Sequence, residues 1–481
     1  MYDIIIIGAG IIGTSVAYEL AKYQLNICVL EAENDVSVGT TKANSAILHA
    51  GYDPKTGSLN AKLNVEGSIL AKELCEKLDV PRKQIGSLVI AFSKEDLSTL
   101  EALYERGKQN GVADLQLLTA EETLEMEPHL NSEIFGALYA PTAAVVNPWE
   151  FALALGETAK INGVEFKFNQ RVLDIQEEND FFSVITEKGS FKTKQVINAA
   201  GIHAEEIHRL VAPPTFKTIP CRGEYYLLDL EEGETVNHVI FQCPTKAGKG
   251  ILISPTTHGN IIVGPNAENI APELINTGAD IANTSMGLEQ VAKGARLSVP
   301  TINLSNSIRN FSGIRANTDR EEFVIEKVID DFYDIAGINS PGLTAAPAIA
   351  RYLVDLMAED GLVLTEKETF IDERTRVHFN DASIEEKQKI IKENPDYGRI
   401  ICRCENITEG DIRQSLRQTL PASSVDGVKR RTIAGMGRCQ GGFCGPRVVE
   451  IIADELNIAP TEVDLDKLGS RILTGITKEV N

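Results

Sequence analysis

The chain has 481 residues, enough for two or three domains with a substantial core each, and at 43% apolar and 24% charged residues its composition is ordinary for a soluble globular protein. The formal net charge of −22 repels a polyanionic strand and excludes nucleic acid as the expected partner. No stretch has the length or apolarity of a membrane span, and the N-terminus opens directly on a strand instead of a secretory signal. The eight cysteines therefore read as cytoplasmic thiols and metal ligands, not as a disulfide framework.

The first segment, "YDIIIIGAGIIGTSVAYELAKYQLNICVLEAE", carries a dinucleotide-binding pattern. Ile4 to Ile7 form a β-branched run, as expected of a strand buried on both faces of a parallel sheet. Gly8, Gly10 and Gly13 follow as G-x-G-x-x-G. The first glycine permits a tight turn, the second lets backbone approach a pyrophosphate, and the third lets helix and strand pack closely. A helix from Ile11 to about Lys22 would aim its N–H groups at the phosphates. "NICVLEAE" supplies a second strand ending at Glu31, whose carboxylate can accept hydrogen bonds from a ribose diol and disfavours a 2′-phosphate.

"TTKANSAILHAGYDPKTG" is rich in Thr, Ser, Asn and Gly, suited to a pyrophosphate and to passing along a cofactor, and it contains His49. A histidine near neutral pKa is the usual base for a hydroxyl proton, and equally a common hydrogen-bonding residue in a turn. "SILAKELCEKLDV" has helical apolar spacing with Cys75 in it; Cys75, Cys28, Cys221 and Cys243 read as buried structural thiols. "TKQVINAAGIHAEEI" is a buried strand ending at Ala200 and Gly201. "CRGEYYLLDL", "KGILISPT" and "GNIIVGPNAE" are short strands between turns and suggest an antiparallel sheet. Tyr225 lies in the first of these, while Lys246 and Lys249 lie in a Gly-containing stretch ahead of the second; all three are weaker candidates for substrate binding. "RNFSGIRANTD" holds Arg315, whose guanidinium offers a bidentate fork for carboxylate or phosphate, or a surface ion pair. "DFYDIAGINSPGLTAAPAIARYLVDLM" is a strand, a Gly/Pro turn and a helix that begins near Gly342, Leu343 and Thr344.

This three-segment layout resembles the FAD-binding fold of the D-amino-acid oxidase superfamily. The resemblance implies FAD held by Gly8, Gly10, Gly13, Glu31, Thr41, Ser45, Val172, Ala200, Gly201, Gly342, Leu343 and Thr344. It also implies a last helix whose positive end faces the flavin. "NSAILHAGYDP", "RGEYYLLD" and "SGIRANTD" resemble the branch of L-2-hydroxyglutarate dehydrogenases and soluble glycerol-3-phosphate oxidases. "HAGYDP" is closer to the glycerol-phosphate members. In that setting His49 would be the base and Arg315 the anchor of a small anionic substrate.

After Met357 the chain becomes strongly charged, with one surface helix expected before a new domain begins near Gly398. "CRCENITEGDIRQSL" contains Cys402 and Cys404, with Thr408 placed to cap a helix through Asp411. "VDGVKRRTIAGMGRCQGGFCGPRVVEIIADEL" contains Cys439 and Cys444, with a helix after Pro446. Soft thiolates suit an iron–sulfur cluster or zinc, but zinc pairs more often use two to four intervening residues. Lys429, Arg430 and Arg431 would offset the charge of an anionic cluster or be solvated. The pattern resembles the bacterioferritin-associated-ferredoxin-like [2Fe–2S] domain, including the C-terminal module of anaerobic glycerol-3-phosphate dehydrogenases.

The expected fold is α/β: a Rossmann-like FAD domain, an interleaved antiparallel α+β substrate domain and a small α-rich iron–sulfur domain. The expected boundaries are 1–365 for the flavoprotein, 366–397 for a charged linker and 398–481 for the cluster domain. Within the first, about 1–85, 141–220 and 311–365 are assigned to the flavin, and about 86–140 and 221–310 to the substrate. The resemblance implies oxidation of sn-glycerol-3-phosphate with electrons leaving through the cluster. The acceptor would be a second flavoprotein subunit, a ferredoxin or a quinone system, with membrane association only through such a partner and with homo- or hetero-oligomers allowed. L-2-hydroxyglutarate oxidation, amine or amino-acid oxidation, and a non-catalytic flavin/zinc scaffold are the alternatives.

Overall fold

The computed structural model describes residues 1–244, 250–475 and 478. Among them, eight strands form a first sheet around the N-terminal strand Tyr2–Ile7. That strand runs parallel to Ile27–Leu30 on one side and to Gly189–Asn198 on the other. Ile4, Ile5 and Ile6 have no exposed surface, because helices cover one face of this sheet and further strands and a short helix cover the other. The helices Ile11–Leu20, Leu59–Lys77 and Gly342–Glu359 share one core on the first face. Strand Phe332–Ala336 lies parallel to the end of Gly189–Asn198 and delivers the chain to the turn before Gly342. Three segments far apart in sequence thus end at one edge of one sheet, where open α/β sheets bind ligands.

The second sheet has nine strands. It is not purely antiparallel, because Val239–Gln242 runs parallel to Ser87–Ala91. The expected boundary at 311 also moves: strand Ser307–Thr318 pairs along its whole length with Thr218–Leu228. Residues 311–318 therefore belong to the second sheet, and Arg315 is carried by it.

The last part of the chain has its own small core of Ile412, Leu416, Val428, Val448, Ile451 and Ile452. Helices Glu409–Arg417, Val425–Thr432 and Gly445–Leu456 enclose it, and Thr408 with Asp411 forms the expected capping box. Before it, the charged stretch includes the exposed helix Ile384–Glu393. Earlier in the same stretch, the Arg374 side chain is 7% exposed and ion-paired to Glu150 at 2.6 Å and Glu157 at 2.7 Å on the helix Pro148–Ile161. Leu420 extends the docking by entering the core of the first sheet.

Candidate active site

The glycine turn is built by close approaches that a side chain would prevent. Gly8 has φ +105°, and a Cβ there would lie 2.6 Å from the carbonyl oxygen of Ala199. A Cβ on Gly13 would lie 1.9 Å from the carbonyl of Gly8. Gly10 caps the helix with no side-chain hydrogen bond, and Thr41 Oγ1 accepts the N–H of Ile11 at 3.0 Å. Glu31 sits at the end of the second strand, where its carboxylate accepts the N–H of Ala9 at 2.6 Å and of Glu33 at 2.9 Å. Burial raises its pKa against those two donors. Gln170 donates its N–H to the Glu31 carbonyl at 2.8 Å, which brings the start of the strand Val172–Glu177 beside the same corner. Ala200 and Gly201 follow the strand Gly189–Asn198, with Gly201 exposed at φ +60°.

The second part of the site lies between residues 40–52 and one face of the second sheet. Phe311, Gly313 and Arg315 alternate on that face opposite Tyr225, Gly223 and Cys221. The rings of Tyr225 and Phe311 stack at 4.7 Å, and Tyr225 Oη lies 3.3 Å from Ser45 Oγ. Gly313 admits the backbone of Ala43, whose carbonyl oxygen would be 2.0 Å from any Cβ there. Arg315 donates to Cys221 Sγ at 3.4 Å and to the Asn266 carbonyl at 3.2 Å. Gly223 makes the space for it, since a Cβ would lie 2.8 Å from Arg315 Nη2. Neither Gly223 nor Gly313 stood out in the sequence, where they are ordinary turn-like glycines.

His49 faces the end of the first sheet. Its N–H donates to Thr344 Oγ1 at 2.8 Å, and its carbonyl accepts from Asn64 at 2.9 Å. Its ring stacks on Phe241 at 5.7 Å, and Nε2 lies 3.2 Å from Ser340 Oγ. The Asn339 side chain donates to Asn317 on the strand of Arg315 at 3.0 Å. The turn before Gly342 therefore links the neighbourhoods of His49 and Arg315. Leu343 and the fully buried Thr344 follow in the first turn of the last helix, and the Thr344 hydroxyl is committed to His49. Lys246 and Lys249 lie outside the described residues.

A polar network missed in the sequence supports this corner. Asn198 donates to Asp334 at 2.7 Å, Asp334 pairs with His208 at 2.5 Å, and all three side chains are buried. They join the ends of two parallel strands just before Ala200. Only the fold brings them together.

The four C-terminal cysteines form two pairs. Cys404 Sγ lies 3.7 Å from Cys439 Sγ. Cys402 accepts from Cys444 and from the N–H groups of Gly435, Glu405 and Cys404, which together outweigh burial and bring its thiol down to about 5. Cys439 is lowered chiefly by the N–H of Phe443, with help from Cys404 and Gly441. Two pairs of sulfurs, with backbone donors favouring thiolates, fit the two irons of a [2Fe–2S] cluster.

Arg430 and Arg431 neither face the cysteines nor point to solvent. Both are buried and bind Asp35 in the loop after Glu31. The expectation failed because the partner carboxylate lies at the other end of the chain. Lys429 pairs with Asp426 at 2.6 Å. On the other flank, Met436 packs on the cluster containing Tyr225 and Phe311, and Arg438 binds Asp229 at 2.8 Å.

A family model described as FAD dependent oxidoreductase matches residues 3–356, and one described as BFD-like [2Fe-2S] binding domain matches residues 400–454. The chain is 48% identical to a glycerol 3-phosphate dehydrogenase of Caloramator mitchellensis over 99% of both chains. It is 28% identical to the mitochondrial L-2-hydroxyglutarate dehydrogenase of Homo sapiens, over 74% of this chain and 88% of that one. The solved structure of dithionite-reduced L-alpha-glycerophosphate oxidase from Mycoplasma pneumoniae with FAD bound has a TM-score of 0.74 and 32% identity, covering 78% of this chain and 99% of that one. Among the described residues no helix is long and apolar enough to cross a membrane. The glycine turn, the three flavin-type segments and the paired cysteines therefore have one source: the chain belongs to the FAD-dependent oxidoreductase family and carries a C-terminal [2Fe–2S]-binding domain.

Proposed function

We propose that the protein oxidises sn-glycerol-3-phosphate at its secondary alcohol. The observation that carries this reading is the similarity to a glycerol 3-phosphate dehydrogenase along the entire chain, tail included. Bound FAD supplies the hydride acceptor, and a bound [2Fe–2S] cluster supplies a one-electron carrier toward an external acceptor.

The chain's own residues have separable tasks. Gly8, Gly10, Gly13 and the N-terminus of the following helix leave room and N–H groups for the pyrophosphate. Glu31 receives the ribose, with Thr41, Ser45, Val172, Ala200 and Gly201 along the rest of the cofactor. Gly342, Leu343 and Thr344, at the positive end of an 18-residue helix, would stabilise negative charge on a bound flavin. Arg315, with Tyr225 as a lesser contact, holds the phosphate. The His49 imidazole takes the hydroxyl proton while the hydride leaves the carbon that bears this hydroxyl; Phe241 stacks on the ring and Ser340 Oγ lies 3.2 Å from Nε2. Cys402, Cys404, Cys439 and Cys444 hold the cluster. The working division of the chain is 1–365, 366–397 and 398–481, with a second flavoprotein subunit, a ferredoxin or a quinone system as acceptor.

L-2-hydroxyglutarate is the second reading, favoured by the similarity to dehydrogenases of that substrate and open to the same arginine. Anaerobic titration of the purified protein with each substrate decides between them. Bleaching of the flavin bands by glycerol-3-phosphate alone supports the first reading. Bleaching by hydroxyglutarate alone replaces it.

A further inference from the structure

The loop from Glu31 to Lys42 embraces the glycine turn at both ends. At its start the Glu31 carboxylate holds the N–H of Ala9, and Ser37 donates its N–H to the Ala9 carbonyl at 3.1 Å. At its end Thr41 accepts the N–H of Ile11. The C-terminal domain grips this loop at both ends too. Arg431 makes a bidentate pair with Asp35, at 2.7 Å to each oxygen. Arg430 joins at 3.0 Å and reaches Asp466 at 2.8 Å with another nitrogen. Asp466 then binds Lys42 at 2.6 Å, and its carbonyl accepts from Asn34 at 2.6 Å. Asp35 and Arg431 are each 2% exposed at the side chain.

A buried carboxylate between two guanidinium groups holds only while all are present, since removing one partner leaves an uncompensated buried charge. Among the described residues it is the tail that supplies the ion-pair partners of Asp35 and Lys42. Without the tail, the loop that shapes the nucleotide turn would be anchored from one side only.

We propose that the C-terminal domain is a lock on the FAD site: its Arg430, Arg431 and Asp466 hold the 31–42 loop in the cofactor-binding shape, so that FAD binding and domain docking reinforce each other. Arg430, Arg431 and Asp466 are positioning residues, since they act through the loop. By linkage the effect is mutual: whatever loosens the clasp weakens FAD, and removal of FAD loosens the clasp by the same factor. The coupling concerns FAD retention and stands whichever substrate is oxidised.

The test uses the full chain. Apoprotein is titrated with FAD by flavin fluorescence quenching for the wild type, Arg431→Ala, Arg431→Lys and Lys42→Met. Proteolysis within 366–397 is timed with and without FAD, and cluster absorbance is recorded to show that the tail remains folded. The expected result is an FAD dissociation constant at least tenfold higher in Arg431→Ala and several-fold higher in Lys42→Met. Partial recovery in Arg431→Lys, whose ammonium lacks the planar fork, and faster cleavage of FAD-free wild type complete the pattern. Should Arg431→Ala fail to fold, Lys42→Met decides, because that pair is partly exposed. Wild-type FAD affinity in Lys42→Met, with cleavage independent of FAD, overturns the proposal.

Discussion

Thr344 accepts the backbone N–H of His49 at 2.8 Å, although 295 residues separate them. One hydroxyl therefore joins the candidate base to the first turn of the helix Gly342–Glu359. Thr344→Val should remove the hydroxyl that accepts the His49 N–H, at a cost of about 0.5–1.5 kcal/mol. A lowered melting temperature together with slower flavin reduction is the expected result, measured by thermal unfolding and stopped-flow absorbance.

His49→Ala removes the base and leaves the glycine turn untouched. Turnover should fall by about 10²–10⁴-fold, the usual range for general-base removal. FAD content should be retained, and equal loss of cofactor and turnover would reduce His49 to a structural part.

Arg315→Ala should raise KM for the anionic substrate about 10- to 100-fold, as expected for a charge-assisted bond of roughly 1.5–3 kcal/mol. Arg315→Lys should recover part of this only, because an ammonium lacks the planar fork. Steady-state kinetics with glycerol-3-phosphate and with uncharged glycerol separates the phosphate contact from a general loss of folding.

Cys439→Ser should abolish the broad visible absorbance of the cluster while substrate still bleaches the flavin. Iron analysis and anaerobic spectra check it. Loss of flavin reduction in the same variant would mean that the two sites do not work separately.

Asp466 provides the pH test. Burial opposes its ionisation, but Lys42 and Arg430 outweigh it and bring the carboxyl down to about 2. A depressed acid stabilises the fold above its unfolded pKa of about 3.9, and that contribution is lost as the pH falls toward 2. The amount is about 2 kcal/mol at most, given the partial exposure of the pair. Urea unfolding at pH 7 and pH 3 should therefore show a smaller pH effect in Asp466→Asn than in the wild type.

The parts of this molecule that were legible in the sequence are those with local grammar. Gly8, Gly10, Gly13 and Glu31 announce a nucleotide turn because backbone geometry imposes their spacing. The four cysteines announce a cluster because thiolates must arrive in pairs. The Thr408 cap was readable for the same reason, since its partner lies three residues away. What could not be read depends on partners brought together by topology. Arg430 and Arg431 looked like a basic run beside the cysteines, and nothing nearby hinted at Asp35. Asn198, His208 and Asp334 are unremarkable until two parallel strands align their ends. The strand of Arg315 was split between two assignments because its hydrogen-bond partner, Thr218–Leu228, lies some ninety residues upstream.

The stacked rings of Tyr225 and Phe311 belong to an apolar cluster with two neighbours: Ser45 lies against Tyr225, and Met436 of the cysteine loop packs on the cluster. The tail looks like a detachable cassette in the sequence, yet its counter-surface is written into the enzyme it accompanies. Transplanting it onto a tail-less oxidase would require carrying over Asp35, Asp229 and this apolar cluster as well. Conversely, any change at Tyr225 or Phe311 also alters the apolar cluster on which the cysteine loop sits.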